Sequence, residues 1–188
     1  MDYVKNPKAI EDKSMEIIYD YVKDLGLTDD EVRVVSRTVH ASGDVEYAKL
    51  VKMSPDAVQK GIEALDNGAD IYTDVEMVRT GISKPALKLR GNEVHCLIKD
   101  ENVAKMAKEL GVTRSIAAMR TFGKQLEGQI VAIGNAPTAL YEVLRLALEE
   151  GVKPALIIGI PVGFVGAAES KDYLMEVSPV PYITVKGN

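Results

Sequence analysis

The sequence predicts an α/β fold: a single doubly wound, mainly parallel sheet flanked by helices, with an N-terminal helical portion. Three observations predict it. From residue 70 onward, short apolar runs alternate with stretches of helical periodicity. Two of those runs, IVAIG and ALIIGI, are apolar throughout instead of at every second residue, as parallel strands become when helices cover both faces. The residues before 70 carry only helical signals.

The elements follow in order. Asn6 and Pro7 read as an N-cap and first helical residue, and Ile10, Ile17, Ile18, Tyr21 and Leu25 recur at helical spacing until Gly26 stops the helix. TDDE, from Thr28 to Glu31, is a capping box that opens a second helix. SPDAVQKGIEALDNG predicts a third, capped at Ser54 and ending near Asn67 before Gly68. Strands are expected over 70–73, 93–98, 129–134, 155–160 and 182–185, with helical segments between them. No linker, low-complexity tract or internal repeat interrupts the pattern, so 1–188 is expected to be a single domain.

Composition excludes several classes. No apolar run approaches the roughly 18 to 20 residues of a membrane span, and the mixed-charge N-terminus lacks the apolar core of a secretion signal, so a cytoplasmic location without membrane attachment is expected. A net charge of −5 argues against nucleic acid held by phosphate neutralisation. Cys96 is the single cysteine and cannot form an intramolecular disulfide. His95 precedes it on a predicted strand, and neighbours on a strand point to opposite faces, so the pair cannot chelate one ion. His95 is expected to be a satisfied strand residue, and no metal site is assembled.

In doubly wound sheets, ligands bind beyond the carboxyl ends of the strands, where helix N-termini offer unpaired N–H groups. Two junctions fit that use. IVAIGNAPTAL puts Gly134 and Asn135 after a strand, with Asn135 a candidate cap and Pro137 early in the next helix. IIGIPVGFVGAAESK sets Gly159, Gly163 and Gly166 around another exit, where backbone can approach a ligand closely. Neither matches the spacing of a dinucleotide fingerprint or a P-loop.

His40, in RTVHASGD, is the candidate proton carrier. At about 100° per residue, Arg33, Arg37 and His40 fall within an arc of about 60° beside the Val32, Val35, Val39 stripe. Two guanidinium groups oppose an imidazolium there and the helix macrodipole favours it. A polycarboxylate held by the arginines would tip the balance toward a protonated imidazole, a general acid armed by its substrate. A solvated helix end is the plainer reading of the same spacing. Ser14 lies on the apolar stripe of the first helix, Arg114 and Ser115 sit at a helix start, and Asp74 is expected to cap the helix that follows it.

RTVHASGDVE, DVEMVRTGI, GNEVHC, TRSIAAM, VAIGNAPTAL and GIPVGFVGAAESK together resemble the precorrin-8X methylmutase family, also called cobalt-precorrin-8 methylmutase. The resemblance runs in order from the first helix almost to the last residue. It implies an isomerase of cobalamin biosynthesis that moves a methyl group from C11 to C12 of the corrin precursor, giving hydrogenobyrinate or its cobalt form, cobyrinate. It implies a homodimer, a corrinoid substrate and no cofactor. The family's proton donor and acceptor falls on His40, and its substrate contacts fall on Ser14, Arg37, Ser83 and Arg114, with the turn from Gly159 through Gly163 to Gly166 beside the macrocycle. Ser83 stands where some relatives have threonine. The family usually continues past YITVKGN into a glycine-glycine-serine segment and a final helix, so the resemblance implies that this segment is lacking or truncated here. A tetrapyrrole carrier would need the arginines but not His40.

Overall fold

The structure, a computed structural model, describes residues 4–188. The chain forms two compact units that divide between Val51 and Lys52.

The first unit is helical. α1 (Pro7–Val22) starts where Asn6 Oδ1 accepts a hydrogen bond from Ala9 N at 3.1 Å, with proline in the first turn. α2 (Asp29–Ser42) opens on the complete capping box: Thr28 Oγ1 accepts from Glu31 N, and Glu31 Oε2 accepts from Thr28 N at 2.8 Å. It closes on Gly43 at φ 69°, the left-handed conformation glycine adopts without Cβ strain. α1 and α2 pack together, with Ile18, Val22, Val35 and Val39 buried, and a short α3 (Tyr47–Leu50) follows. The apolar stripe expected on α1 is narrower than its spacing suggested. Ile10, Ile17 and Tyr21 are all about half exposed.

The second unit carries the sheet. Its elements are β1 (Val51–Met53), α4 (Ala57–Asp66), β2 (Ile71–Thr73), α5 (Glu76–Gly81), α6 (Lys84–Lys88), β3 (Val94–Cys96), α7 (Glu101–Leu110) and α8 (Arg114–Phe122) with a 3-10 turn behind it. Then come β4 (Ile130–Ile133), α9 (Pro137–Glu149), β5 (Leu156–Gly159), α10 (Ala167–Val177) and β6 (Tyr182–Val185). The strand order is β1-β6-β5-β4-β2-β3. The pairs β2–β3, β2–β4, β4–β5 and β5–β6 are parallel, with Ile71 opposite both Val94 and Ile130, and Ile157 opposite Tyr182. From β2 the chain winds one way to β3 and then the other way through β4, β5 and β6, so the winding reverses between β2 and β4.

The apolar runs became the central strands. All of β4 is buried, and with Leu140, Val143 and Leu144 of α9, Met119 and Phe122 of α8 and Leu174 of α10 it forms the main core. Glycines set two close approaches. A Cβ on Gly134 would stand 2.5 Å from Val78 Cγ2, and one on Gly159 would stand 2.8 Å from Leu174 Cδ2, so both helices lie nearer the strand ends than any other residue would allow.

Three local expectations are corrected. The helix expected from Ser54 starts at Ala57, because Ser54 Oγ is committed to accepting a hydrogen bond from Tyr182 N at 2.9 Å. Asn135 does not cap α9; Ala136 holds that position without a side-chain bond. β1 and α6 are elements the periodicity did not reveal, since three to five residues are too few to show a period.

Candidate functional site

In the helical unit, α2 projects its basic groups outward. Arg33 is paired with Asp30 at 3.3 Å, and Arg37 NH2 lies 2.8 Å from Glu11 Oε1 of α1, both guanidinium groups well exposed. Together they line an open hollow of about 700 Å³ with Val34, Thr38, Ala41 and Tyr47. His40 is exposed in the last turn of α2, where the helix dipole favours positive charge, and is not among the residues lining the hollow. Ser14 is half-buried on α1, and its hydroxyl donates to Ile10 O at 2.8 Å. That bond spends its hydrogen within the helix and leaves its lone pairs open to another donor.

In the α/β unit, the turn between β4 and α9 is built differently from the sequence expectation. Asp74, fully buried, does not cap α5, whose N-cap is Val75 without a side-chain bond. Its carboxylate crosses the point where the winding reverses: Oδ1 accepts from Gly134 N at 3.1 Å, and Oδ2 from Asn135 N at 3.0 Å and Ala136 N at 2.7 Å. The N–H groups expected to await an anionic ligand at that helix start are therefore held by the protein's own carboxylate. Asp was legible there as a capping residue, but its partner lies 60 residues away and no local spacing could name it.

The second glycine junction stays open. Gly159 ends β5 with its Cα turned to Leu140 and Leu174, and its carbonyl accepts from Thr184 Oγ1. Gly163 adopts φ 139° and an added Cβ there would meet nothing within 4 Å. Around it Phe164 and Val165 are 96% and 89% exposed, an unusual amount of bare apolar surface for one turn. Arg114 is the first residue of α8, exposed, capped behind by Thr113, and without an acidic partner among the described residues. Ser83 is exposed at the start of α6 with its hydroxyl uncommitted to the helix.

His95 has a sufficient structural account. Its Nε2 lies 2.7 Å from Asp70 Oδ2 and its ring stacks on Tyr72 at 4.7 Å. It is half-buried, because β3 is the sheet edge. Burial pushes the neighbouring Cys96 thiol above the usual range, which disfavours the thiolate. Among the described residues, no group of three or more His, Cys, Asp or Glu is placed to hold a metal ion.

The sequence reading missed Lys171. It is almost wholly buried in α10, and burial pushes its amine below the ordinary lysine range while Asp172 opposes the shift. A signal existed. In AAESKDYL, residues 167, 170, 171 and 174 share one helical stripe, and a lysine among small and apolar residues stands out there.

Fold and side chains thus define a doubly wound α/β protein with exposed arginines at the starts and faces of its helices and no nucleotide fingerprint. Comparison with known proteins names the family. The precorrin-8X methylmutase family model matches residues 9–188. A cobalt-precorrin-8 methylmutase from Priestia megaterium is 44% identical over 178 residues, covering 95% of this chain and 79% of the relative. A precorrin-8X methylmutase from Sinorhizobium sp is 43% identical over 187 residues, covering 99% and 89%. A solved structure, a precorrin-8X methyl mutase from Thermus thermophilus, superposes with a TM-score of 0.85 at 38% identity, covering 95% of this chain and 87% of the other. The chain belongs to the precorrin-8X methylmutase family, isomerases of cobalamin biosynthesis.

Proposed function

We propose that this protein moves a methyl group from C11 to C12 of precorrin-8X or cobalt-precorrin-8, giving hydrogenobyrinate or cobyrinate, with His40 as the general acid and base. Precorrin-8X and its cobalt form both occur among the relatives' substrates by name. The supporting observation in this chain is the basic face of α2, where His40 follows Arg37 by one helical turn beside a hollow large enough to admit part of a flat macrocycle.

A corrinoid with acetate and propionate arms is anionic at its rim and apolar on its faces. It therefore asks for a few arginines and exposed apolar groups, not a basic protein overall. Arg37 and Arg114 serve the acid arms, Ser14 and Ser83 offer hydroxyls, and the turn from Gly159 through Gly163, with Phe164 and Val165, faces the ring. Arg37 must exchange Glu11 for the substrate, an inexpensive exchange because exposed ion pairs contribute little. His40 protonates the macrocycle, which stabilises charge developing in the rearranging π-system, and takes the proton back after migration. A homodimer and a single methylmutase-like domain over 1–188 belong to the same reading, and bare apolar surface such as Phe164 and Val165 suits burial against a partner or a ring.

The test is conversion of precorrin-8X followed by its absorption spectrum. A new corrin chromophore is expected; a stoichiometric complex with an unchanged spectrum would instead mark a carrier. His40→Ala should bind the substrate and lose about 10² to 10⁴ in turnover. Unchanged turnover in that variant removes His40 from the mechanism.

A further inference from the structure

α10 carries a charge that the fold leaves unmatched. Lys171 is 1% exposed and heads the fully buried side chains, yet its ammonium makes no ion pair or hydrogen bond among the described residues. Buried ammonium groups are expensive without an anion, and proteins that keep one usually supply a carboxylate. Here Arg120 and Arg145 share the buried Glu142, while Lys171 has no bonded carboxylate and only the attraction of neighbouring Asp172, which burial outweighs. Asn92 Oδ1 is the one wholly inaccessible side-chain polar atom without a partner among the described residues, so the Lys171 amine, though 1% exposed as a residue, retains a narrow opening of its own.

Helix geometry says where that opening lies. Ala167, Ser170, Lys171 and Leu174 form the buried stripe of α10. Leu174 fills the space left by Gly159 at the last position of β5, so the stripe faces the carboxyl end of that strand. Side chains lean toward the N-terminus of their helix. The lean of a lysine one turn before Leu174 is thus toward the side of the turn that ends at Gly166, where α10 begins and where a Cβ on Gly163 would meet nothing within 4 Å.

We propose that Lys171 is a carboxylate-binding group of the substrate site, its ammonium receiving one acid arm of the corrinoid beside the Gly163–Gly166 turn. This rests on the methylmutase reading above and adds a specificity determinant to it. The exposed guanidinium groups of Arg37 and Arg114 remain hydrated and tolerate an exchange of partners. A charge sunk in the protein does not: it favours an ionised arm strongly over a neutral amide of the same size, and so selects acid precursors against corrinoids already amidated.

Titration of the whole protein with cobyrinate, and with cobyrinate whose carboxyl groups are converted to amides, tests this. Lys171→Met keeps the length of the side chain without its charge. The variant should melt at a higher temperature than the wild type, since an unmatched buried charge is gone, and should bind cobyrinate on the order of 100-fold more weakly. Its affinity for the amidated ligand should be unchanged or higher, collapsing the preference for acid over amide. A lower melting temperature, or failure to fold, identifies a structural ammonium and overturns the proposal. Equal cobyrinate affinity in variant and wild type overturns it while leaving the methylmutase reading intact. Absence of cobyrinate binding by the wild type removes that reading and this proposal together.

Discussion

Asp74 shows how one side chain can decide what a fold is able to bind. Three backbone N–H groups converge on its fully buried carboxylate, a donor set that elsewhere would cradle a phosphate. Each charge-assisted bond is stronger than a neutral one, and removing the acceptor leaves three donors without a partner, that of Ala136 buried. Asp74→Asn keeps the shape but offers one acceptor oxygen and turns an N–H₂ toward other donors. It should destabilise the protein by about 2–4 kcal/mol in urea unfolding, and the amides of residues 134–136 should lose hydrogen-exchange protection. Wild-type stability in this variant would mean that water satisfies the turn.

At the scale of elements, α8 and α9 are joined by a buried ionic knot. Glu142 of α9 is nearly inaccessible, and its Oε1 accepts from Arg120 Nε of α8 at 2.9 Å and from Arg145 NH2 at 2.7 Å. Burial disfavours its ionisation, but the two guanidinium groups outweigh burial and hold the carboxyl below the usual range. Because the folded carboxyl is the stronger acid, its stabilisation is complete above the ordinary glutamate value of about 4.3 and fades as pH falls through the folded value. Glu142→Gln should cost about 2–3 kcal/mol at pH 7, less than a fully buried pair would, because both arginines are about one-third exposed and partly screened by water. Its stability should then vary less with pH below about 4.5, as measured by denaturant midpoints across an acid series.

Elements with a local cause were legible, and those with a distant cause were not. The capping box of α2 and the N-cap of α1 lie within four residues of their partners and form as the sequence implied. The runs that became β4 and β5 carried their two-sided burial in composition. Ser54 looked like a helix cap until a strand 128 residues later claimed its hydroxyl, and Asp74 looked like one until the far side of a crossover did. The candidate site divides the same way. Arg33, Arg37 and His40 share a helical face by spacing alone. Lys171 required knowledge of which face of α10 meets the sheet, and that depends on Leu174 entering the gap at Gly159.

For the whole molecule, the order β1-β6-β5-β4-β2-β3 makes the last strand an interior one. β6 lies between β5 and β1, held by the Ile157–Tyr182 register and by the exchange in which Ser54 N donates to Tyr182 O at 3.0 Å and Tyr182 N donates to Ser54 Oγ. A chain still on the ribosome carries β1 and β5 long before it carries their common neighbour, and each then presents an open strand edge of the kind that pairs with other chains. Ending translation before residue 182 should therefore yield aggregated protein in a sedimentation assay, whereas ending it after Val185 should yield dispersed protein. Closure of this sheet thus waits for residues 182–185, and a nascent chain depends on chaperoning until they emerge.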